Sequence, residues 1–128
     1  MPTPIIHTAG GALMYLLSGN LDLNRMYILF WVVVLSNAPD FDMLVPGPHR
    51  AFSHSLLFCL IVTALVGRFT PLSYLSVSLI LLSHLLLDSL QDGFYTVSWA
   101  WPFYEHISVE SYGWNDMINI IKRVFTIY

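Results

Sequence analysis

Four apolar runs separated by short polar segments dominate the chain, and their spacing predicts four helices. The runs cover residues 5–17, 26–38, about 52–66 and 72 to about 90. Pro4 and Pro71 precede the first and fourth runs, and proline suits a helix start because the first N–H groups have no helical partner there. Ser53 or Ser55 is expected to cap the third helix. Residues 116–128 are predicted to form a short final helix.

The composition indicates that these helices are embedded in a membrane. Of the 128 residues, 56% are hydrophobic and 10% are charged, and mean hydropathy is +0.66, whereas soluble domains carry about 25% charged residues. A helix needs about 20 residues to cross a bilayer, and only the fourth run approaches that length. We therefore expect one all-α domain, residues 1–128, built as a membrane-embedded helical bundle of about four short helices plus a short C-terminal helix.

The charged residues and the single cysteine exclude several other classes of protein. The net charge is −3 with five basic residues, so the chain lacks the basic stripe with which proteins bind nucleic acid. Cys59 cannot form an intrachain disulfide or a cysteine-rich zinc site, and we expect it to be a small buried apolar residue. The amino terminus has no basic region and no clear cleavage site, so the first helix is not expected to be a signal peptide.

Small and aromatic residues predict features of packing and of the membrane interface. Gly10 and Gly11 are expected to let the first helix approach a neighbour closely. Eight aromatic residues between positions 91 and 115 are expected to form a belt at the interface. A lid around Trp101, Pro102 and Phe103 at a substrate entrance is the alternative interpretation of part of this segment.

Seven acidic or imidazole side chains fall near the ends of the predicted helices. They are His7, Asp40, Asp42, His49, His54, His84 and Asp88. Short connections make successive helices antiparallel, so the starts of the first and third helices lie beside the ends of the second and fourth. All seven side chains are therefore expected on one side of the bundle. His84 and Asp88 also share a helical face, although residues four apart often only hydrogen-bond each other.

This gathering of histidines and aspartates predicts a metal centre. Seven ligands exceed the four of one tetrahedral zinc ion, which favours two ions with Asp40 or Asp88 as a bridge. Some carboxylates could instead orient a histidine. The mixed ligands favour zinc first, with manganese or iron as alternatives. Simpler interpretations are a hydrogen-bonded core residue for His7 and a solvated turn for Asp40 and Asp42. His54 could likewise be an interfacial polar residue.

The arginines add a candidate anion site and a prediction of orientation. Arg50 lies within the polar segment, where a planar guanidinium could hold a phosphate, or could simply anchor the chain at the interface. Arg25 and Arg68 fall on the opposite side, which the positive-inside rule places in the cytoplasm. Lys122 and Arg123 could reverse that count.

Several short motifs resemble a known family. The chain has His7, then PDFD at 39–42, HRAFSHSLL at 49–57, SHLLLD at 83–88, Gly93 and WPF at 101–103. In this order and spacing they are similar to the YdjM-type inner-membrane metal-dependent hydrolases, with Ser53 where the typical motif HRxxTHS has threonine. The resemblance covers roughly residues 7–103. It implies a small helical inner-membrane protein with a His/Asp metal centre. The family is itself distantly similar to zinc-dependent phospholipase C enzymes, which implies phosphoester hydrolysis.

The leading functional hypothesis is a membrane-bound metal-dependent hydrolase acting on a phosphoester or a lipid-like ester. Arg50 and Asp40 are its candidate catalytic residues, and membrane lipid is its expected partner. The alternative is a non-catalytic membrane protein in which the same residues hold a structural ion or form a polar network. A metal or proton transporter ranks last, because the runs WVVVL and LLFCLIV offer no polar path through the bundle. Ser53 and Ser55 are expected to act as helix caps rather than nucleophiles.

Overall fold

A computed structural model describes residues 3–19, 25–44, 47–48, 50–92, 97–103 and 111–112. Four α-helices form the bundle in this part of the chain, and they are α1 Pro4–Leu17, α2 Met26–Asn37, α3 Leu56–Val66 and α4 Tyr74–Asp92. A two-residue antiparallel pair joins β1, Gly47–Pro48, to β2, Ser111–Tyr112. The prediction of an all-α bundle is confirmed. The predicted final helix, residues 116–128, lies outside the described residues.

The helices differ in their capacity to cross a membrane. Among the described residues, two helical segments are long and apolar enough to do so, Met26–Leu44 with 19 residues and Tyr74–Gln91 with 18. The helices α1 and α3 are apolar but shorter, with 14 and 11 residues. At 1.5 Å per residue they extend about 21 and 17 Å, against about 30 Å for the hydrocarbon core of a bilayer. The expectation of a bundle that is not four full spans is therefore met.

The helix α4 is the centre of the bundle and contacts α1, α2 and α3. Its inner face is made of side chains with no exposed surface, Val77, Ile80, Leu81 and Leu85. The outer surface of the bundle carries large exposed apolar side chains, such as Met26, Leu60 and Phe69. In water such a surface would be unfavourable, but it suits a protein surrounded by lipid.

The close helix approach expected at the glycines of α1 is confirmed. A Cβ atom on Gly11 would collide with the side chain of Ser36 in α2 and would lie 3.2 Å from Ile80 in α4. A Cβ atom on Gly10 would lie 2.6 Å from Leu87. The missing side chains therefore bring the start of α1, which carries His7, against both neighbouring helices.

Three of the buried serines pair their hydroxyl groups within their own helices. Ser36, Ser83 and Ser89 donate hydrogen bonds of 2.6, 2.6 and 2.8 Å to carbonyl oxygens three or four residues earlier. Such bonds pair a buried hydroxyl locally. In the described part of the chain these serines therefore do not extend the polar site along the bundle.

Two differences from the sequence prediction lie close to the polar residues. The helix α3 begins at Leu56 because Ser55, in extended conformation, caps it by accepting a 3.1 Å hydrogen bond from the N–H of Phe58. His54 therefore precedes α3. The prediction of a third helix from about residue 52, which would have placed His54 in the first helical turn, is wrong. Pro39 ends the α-helical part of α2, but the chain continues as a 3₁₀ helix, Ala38–Leu44, instead of a loop.

Candidate metal centre

Four side chains from three different segments meet at one end of the bundle. Asp40 comes from the 3₁₀ helix, His54 from the turn before α3, and His84 and Asp88 from α4. One ligand atom from each lies within 4.8 Å of all the others. His54 and His84 have no exposed surface and Asp88 has 1%, whereas the Asp40 side chain is 21% exposed. The cluster is thus closed by protein except on the side of Asp40.

Five of the six distances among the four ligand atoms are close to those of tetrahedral coordination. The Nε2 atom of His54 lies 3.4 Å from Asp40 Oδ1 and 3.1 Å from Asp88 Oδ2. The Nε2 atom of His84 lies 3.5 Å from each of the same two oxygens, and the two Nε2 atoms are 3.3 Å apart. Ligands bound at about 2.0–2.2 Å in a tetrahedron lie about 3.3–3.6 Å from one another. The group could therefore hold a metal ion.

A backbone carbonyl sets the proton position on His84. The Nδ1 atom of His84 lies 2.7 Å from the carbonyl oxygen of Ser36 in α2. A carbonyl can only accept a hydrogen bond, so Nδ1 carries the proton and donates it. In the neutral ring, Nε2 then presents its lone pair to the cluster, as a metal ligand must.

A relay of hydrogen bonds, from His54 through Ser53 to Asp42, sets the proton position on His54. The Ser53 hydroxyl donates a short hydrogen bond to Asp42, and Ser53 Oγ lies 3.0 Å from His54 Nδ1. Because the serine proton is given to the carboxylate, Ser53 accepts the proton of Nδ1, and His54 Nε2 is left unprotonated. Two imidazole lone pairs and two carboxylate oxygens then face one another, and a divalent cation between them would balance both carboxylate charges.

Asp42 lies behind His54 rather than among the four ligand atoms. Its Oδ2 accepts the Ser53 hydroxyl and a 3.2 Å hydrogen bond from the backbone N–H of Arg50. Its Oδ2 lies 3.9 Å from Nδ1 of His54. In this position Asp42 orients the turn that carries His54, which is the alternative role considered for a carboxylate. Its direct ligation of a metal stays a prediction.

His7 and Arg50 lie beside the cluster. The His7 ring stacks on His84 with centroids 3.7 Å apart and an interplanar angle of 14°. Its Nε2 lies 3.5 Å from Asp88 Oδ1 and 4.0 Å from Asp40 Oδ2. The Nη2 atom of Arg50 lies 3.8 Å from Asp88 Oδ1. The structure thus brings these two sequence-predicted residues to the centre, whereas His49 lies outside the described residues.

The start of the aromatic segment packs beside the turn that carries His54. The backbone N–H of Leu56 donates a 3.1 Å hydrogen bond to the carbonyl oxygen of Trp99. The Trp101 ring meets Phe52 edge to face, with centroids 5.2 Å apart. Phe103 is 94% exposed. Residues 97–103 therefore border the site, while their roles as an interfacial belt or a lid stay predictions.

Loss of the Ser53 hydroxyl is expected to weaken metal binding without unfolding the bundle. In Ser53→Ala the hydrogen-bond relay from His54 to Asp42 is broken, and loss of such an outer partner costs about 10- to 100-fold in metal affinity. Ser53→Thr keeps the hydroxyl and should bind as the wild type does. Competition of the purified protein against a chromogenic chelator measures the affinity. Wild-type affinity in Ser53→Ala would contradict the relay.

Sequence reasoning missed the partners that orient the two central histidines. The carbonyl oxygen of Ser36 left no signal in the sequence, because any residue supplies a carbonyl. Ser53 did leave one, since a hydroxyl directly before His54 can reach its ring, but it was assigned to a helix cap. The structure assigns the cap to Ser55 alone.

Comparison with known proteins supplies the family and the location. The family model described as YdjM inner membrane protein matches residues 1–127. The chain is 35% identical over 123 residues to "Inner membrane protein YbcI" of Escherichia coli (strain K12), an alignment covering 80% of this chain and 69% of that protein. No solved structure matches the chain significantly. Both names describe an inner membrane protein and neither states an activity. The chain therefore belongs to the YdjM family of inner membrane proteins.

Proposed function

We propose that this protein is a membrane-bound metal-dependent hydrolase that cleaves a phosphoester of a membrane lipid. The observation that carries the proposal is the convergence of one ligand atom each from Asp40, His54, His84 and Asp88, with both histidine Nε2 lone pairs directed inward. Imidazole and carboxylate together favour zinc, with manganese or iron as alternatives.

Hydrolysis of a phosphoester requires activated water and stabilisation of negative charge. A bound divalent ion supplies both, as a Lewis acid toward the phosphoryl oxygens and by lowering the pKa of water. In the reaction the water oxygen bonds to phosphorus, the bond from phosphorus to the ester oxygen breaks, and the leaving oxygen gains a proton. Asp40 is the most exposed of the four groups, at 21%, so we infer that water and substrate reach the metal ligands from its side.

Arg50 is suited to bind the phosphate. Its side chain is 13% exposed, and Nη2 lies 3.8 Å from Asp88 Oδ1 at the edge of the cluster. The guanidinium carries a permanent positive charge and can donate two parallel hydrogen bonds to phosphate oxygens. The backbone of Arg50 has a φ of 63°, a left-handed conformation that costs free energy and recurs at binding sites. Arg50 would therefore orient an anionic substrate beside the metal ligands.

The position of the site supports a lipid substrate. The ligands lie at the end of helices whose outer surfaces are apolar. A mainly apolar cavity of about 210 Å³ between α3 and α4 is lined by Leu56, Cys59, Leu60, Thr63, Ser78 and Leu82. Leu56 follows His54 by two residues, and Leu82 precedes His84 by two residues. An acyl chain lying in this cavity would place its headgroup end near the two histidines.

A phosphoester panel tests the proposal. Protein purified in detergent and loaded with zinc, manganese or iron would be assayed on a lipid phosphomonoester, a lipid phosphodiester and a water-soluble phosphoester. We expect metal-dependent hydrolysis of a lipid phosphoester that falls at least about 100-fold in His54→Ala, since the activated water is lost with the metal. Ser76→Ala, a buried change in the first turn of α4, is the matched control and should keep full activity.

The alternative function predicts a different outcome of the same experiment. If the protein binds stoichiometric metal but cleaves none of these substrates, the ion is structural and the hydrolase proposal is wrong. If the purified protein binds none of the three metals, both the hydrolase and the structural-ion interpretations fail, and the residues form a polar network.

A further inference from the structure

His7 is the buried group that the four-ligand set leaves unexplained. Its side chain has no exposed surface, and within the described part of the chain neither ring nitrogen has a hydrogen-bond partner. Burying polar atoms without a partner is costly, and native proteins seldom do it. A ligand at Nε2 would remove the part of that cost that belongs to this nitrogen.

The stacking of His7 on His84 sets the direction of its Nε2 atom. The rings are nearly parallel, at 14°, with centroids 3.7 Å apart, and both Nε2 atoms face Asp40 and Asp88. Each carboxylate offers a different oxygen to each ring. His84 faces Oδ1 of Asp40 and Oδ2 of Asp88, whereas His7 faces Oδ2 of Asp40 and Oδ1 of Asp88.

We propose that His7 Nε2, Asp40 Oδ2 and Asp88 Oδ1 form a second divalent-cation site, so that the two carboxylates bridge a pair of ions. The inference deepens the proposed function and rests on the first ion being held by the four-ligand set. Two parallel imidazoles 3.7 Å apart, each binding through Nε2, match the spacing of two-metal hydrolytic sites, in which the ions lie about 3.5–4 Å apart.

The two sites differ in their ligands and therefore in their expected roles. The first has four protein ligands, whereas the second has three, which leaves a position open for water or substrate. His7 and Arg50 both approach Asp88 Oδ1, at 3.5 and 3.8 Å. A phosphate group bound at the open position would therefore lie within the reach of Arg50.

Charge predicts the order in which the two ions bind. The first ion is neutralised by the carboxylates of Asp40 and Asp88, and the second adds two positive charges near the guanidinium of Arg50. Like charges at such distances repel, so the second ion is expected to bind more weakly than the first. An anion such as inorganic phosphate, bound between the second ion and Arg50, should strengthen the binding of the second ion.

Metal stoichiometry tests the inference without an assay of activity. Protein in detergent would be loaded with Mn²⁺ and its metal content measured by elemental analysis and native mass spectrometry. We expect two ions per chain in the wild type and one in His7→Phe, which keeps an aromatic ring on His84 but offers no ligand. Ser76→Ala, far along α4 from the ligands, should retain two. Inorganic phosphate should lower the Mn²⁺ concentration needed to load the second ion.

Electron paramagnetic resonance of the Mn²⁺-loaded wild type gives an answer even if His7→Phe fails to fold. Two ions sharing carboxylate bridges should give an exchange-coupled spectrum, while one ion gives the six lines of isolated Mn²⁺. A single ion per chain in the wild type, or two ions in folded His7→Phe, would overturn the inference. Two ions per chain without hydrolysis would support the second cation site and contradict the hydrolase proposal. Hydrolysis with one ion per chain would support the hydrolase proposal and contradict the second site.

Discussion

Asp88→Asn is expected to remove metal from the whole centre. Asp88 contributes Oδ2 to the four-ligand set and Oδ1 to the site beside His7, so a single substitution affects both positions. The amide is neutral and has one oxygen, which leaves one negative charge where two balanced the first ion. Loss of a residue that only orients a ligand lowers metal affinity by about 10- to 100-fold. Loss of a bridging ligand should lower metal affinity by more than about 100-fold. Metal content and phosphoester hydrolysis should both fall to background.

The neighbouring serine provides a control for this substitution. Ser89 is equally buried, at 2% exposed, and its hydroxyl donates to the carbonyl of Leu85 in its own helix. Ser89→Ala should therefore keep the metal content and activity of the wild type. If Asp88→Asn retained stoichiometric metal in a folded protein, Asp88 would not be a ligand and the assigned centre would be wrong.

Removal of metal by a chelator is expected to lower the stability of the folded bundle substantially. The ligands of the first ion join the 3₁₀ helix, the turn before α3 and α4, so that ion crosslinks three segments that separate on unfolding. The second ion would add α1 through His7. A ligand that binds only the folded state at 1,000 times its Kd adds about 4 kcal/mol to the free energy of unfolding. In the apo protein, the carboxylates of Asp40 and Asp88 would face the imidazole lone pairs with no cation between them, which should lower the stability further.

Thermal unfolding in detergent, followed by tryptophan fluorescence at a series of zinc concentrations, measures this effect. The Tm of the wild type should rise with the logarithm of the zinc concentration above Kd, because the stabilisation follows mass action. Asp88→Asn should show a Tm that does not change with zinc. A wild-type Tm that is independent of zinc and of chelator would show that the ion does not link these segments.

Hydrophobic periodicity and helix alternation were sufficient to predict the bundle and the gathering of the polar residues. Apolar runs and their breaks predicted all four helices, with the start of α1 displaced by a single residue. Alternation placed the start of α1 beside the ends of α2 and α4, where the structure has His7, Asp40 and Asp88. The helical period alone predicted that His84 and Asp88 lie on the same face of α4.

The different positions of Asp40 and Asp42 could not be predicted from hydrophobic periodicity and helix alternation. Asp40 and Asp42 stand one residue apart in the same motif, yet Asp40 faces His54 Nε2 at 3.4 Å and Asp42 lies on its other side. The difference arises because both belong to a 3₁₀ helix, in which residues two apart point in different directions. A loop, as predicted, would have given no basis for assigning them different roles.

The proton positions on the histidines were also beyond the reach of sequence reasoning. The tautomer of His84 depends on the carbonyl oxygen of Ser36, 48 residues earlier, and that contact exists only once α2 and α4 have packed. Local pattern carries no information about such a pairing. The Ser53 relay is more local, but its direction depends on Asp42 reaching the hydroxyl across the turn.

The distribution of the ligands along the chain has a consequence for biogenesis. His7 lies in α1 and Asp88 near the end of α4, so a nascent chain ending before α4 holds His7, Asp40 and His54 without the pair that completes the set. If the centre binds metal as proposed, the ion is expected to bind only after all four helices have inserted and docked. A loaded centre would then mark a chain that has finished its assembly in the membrane.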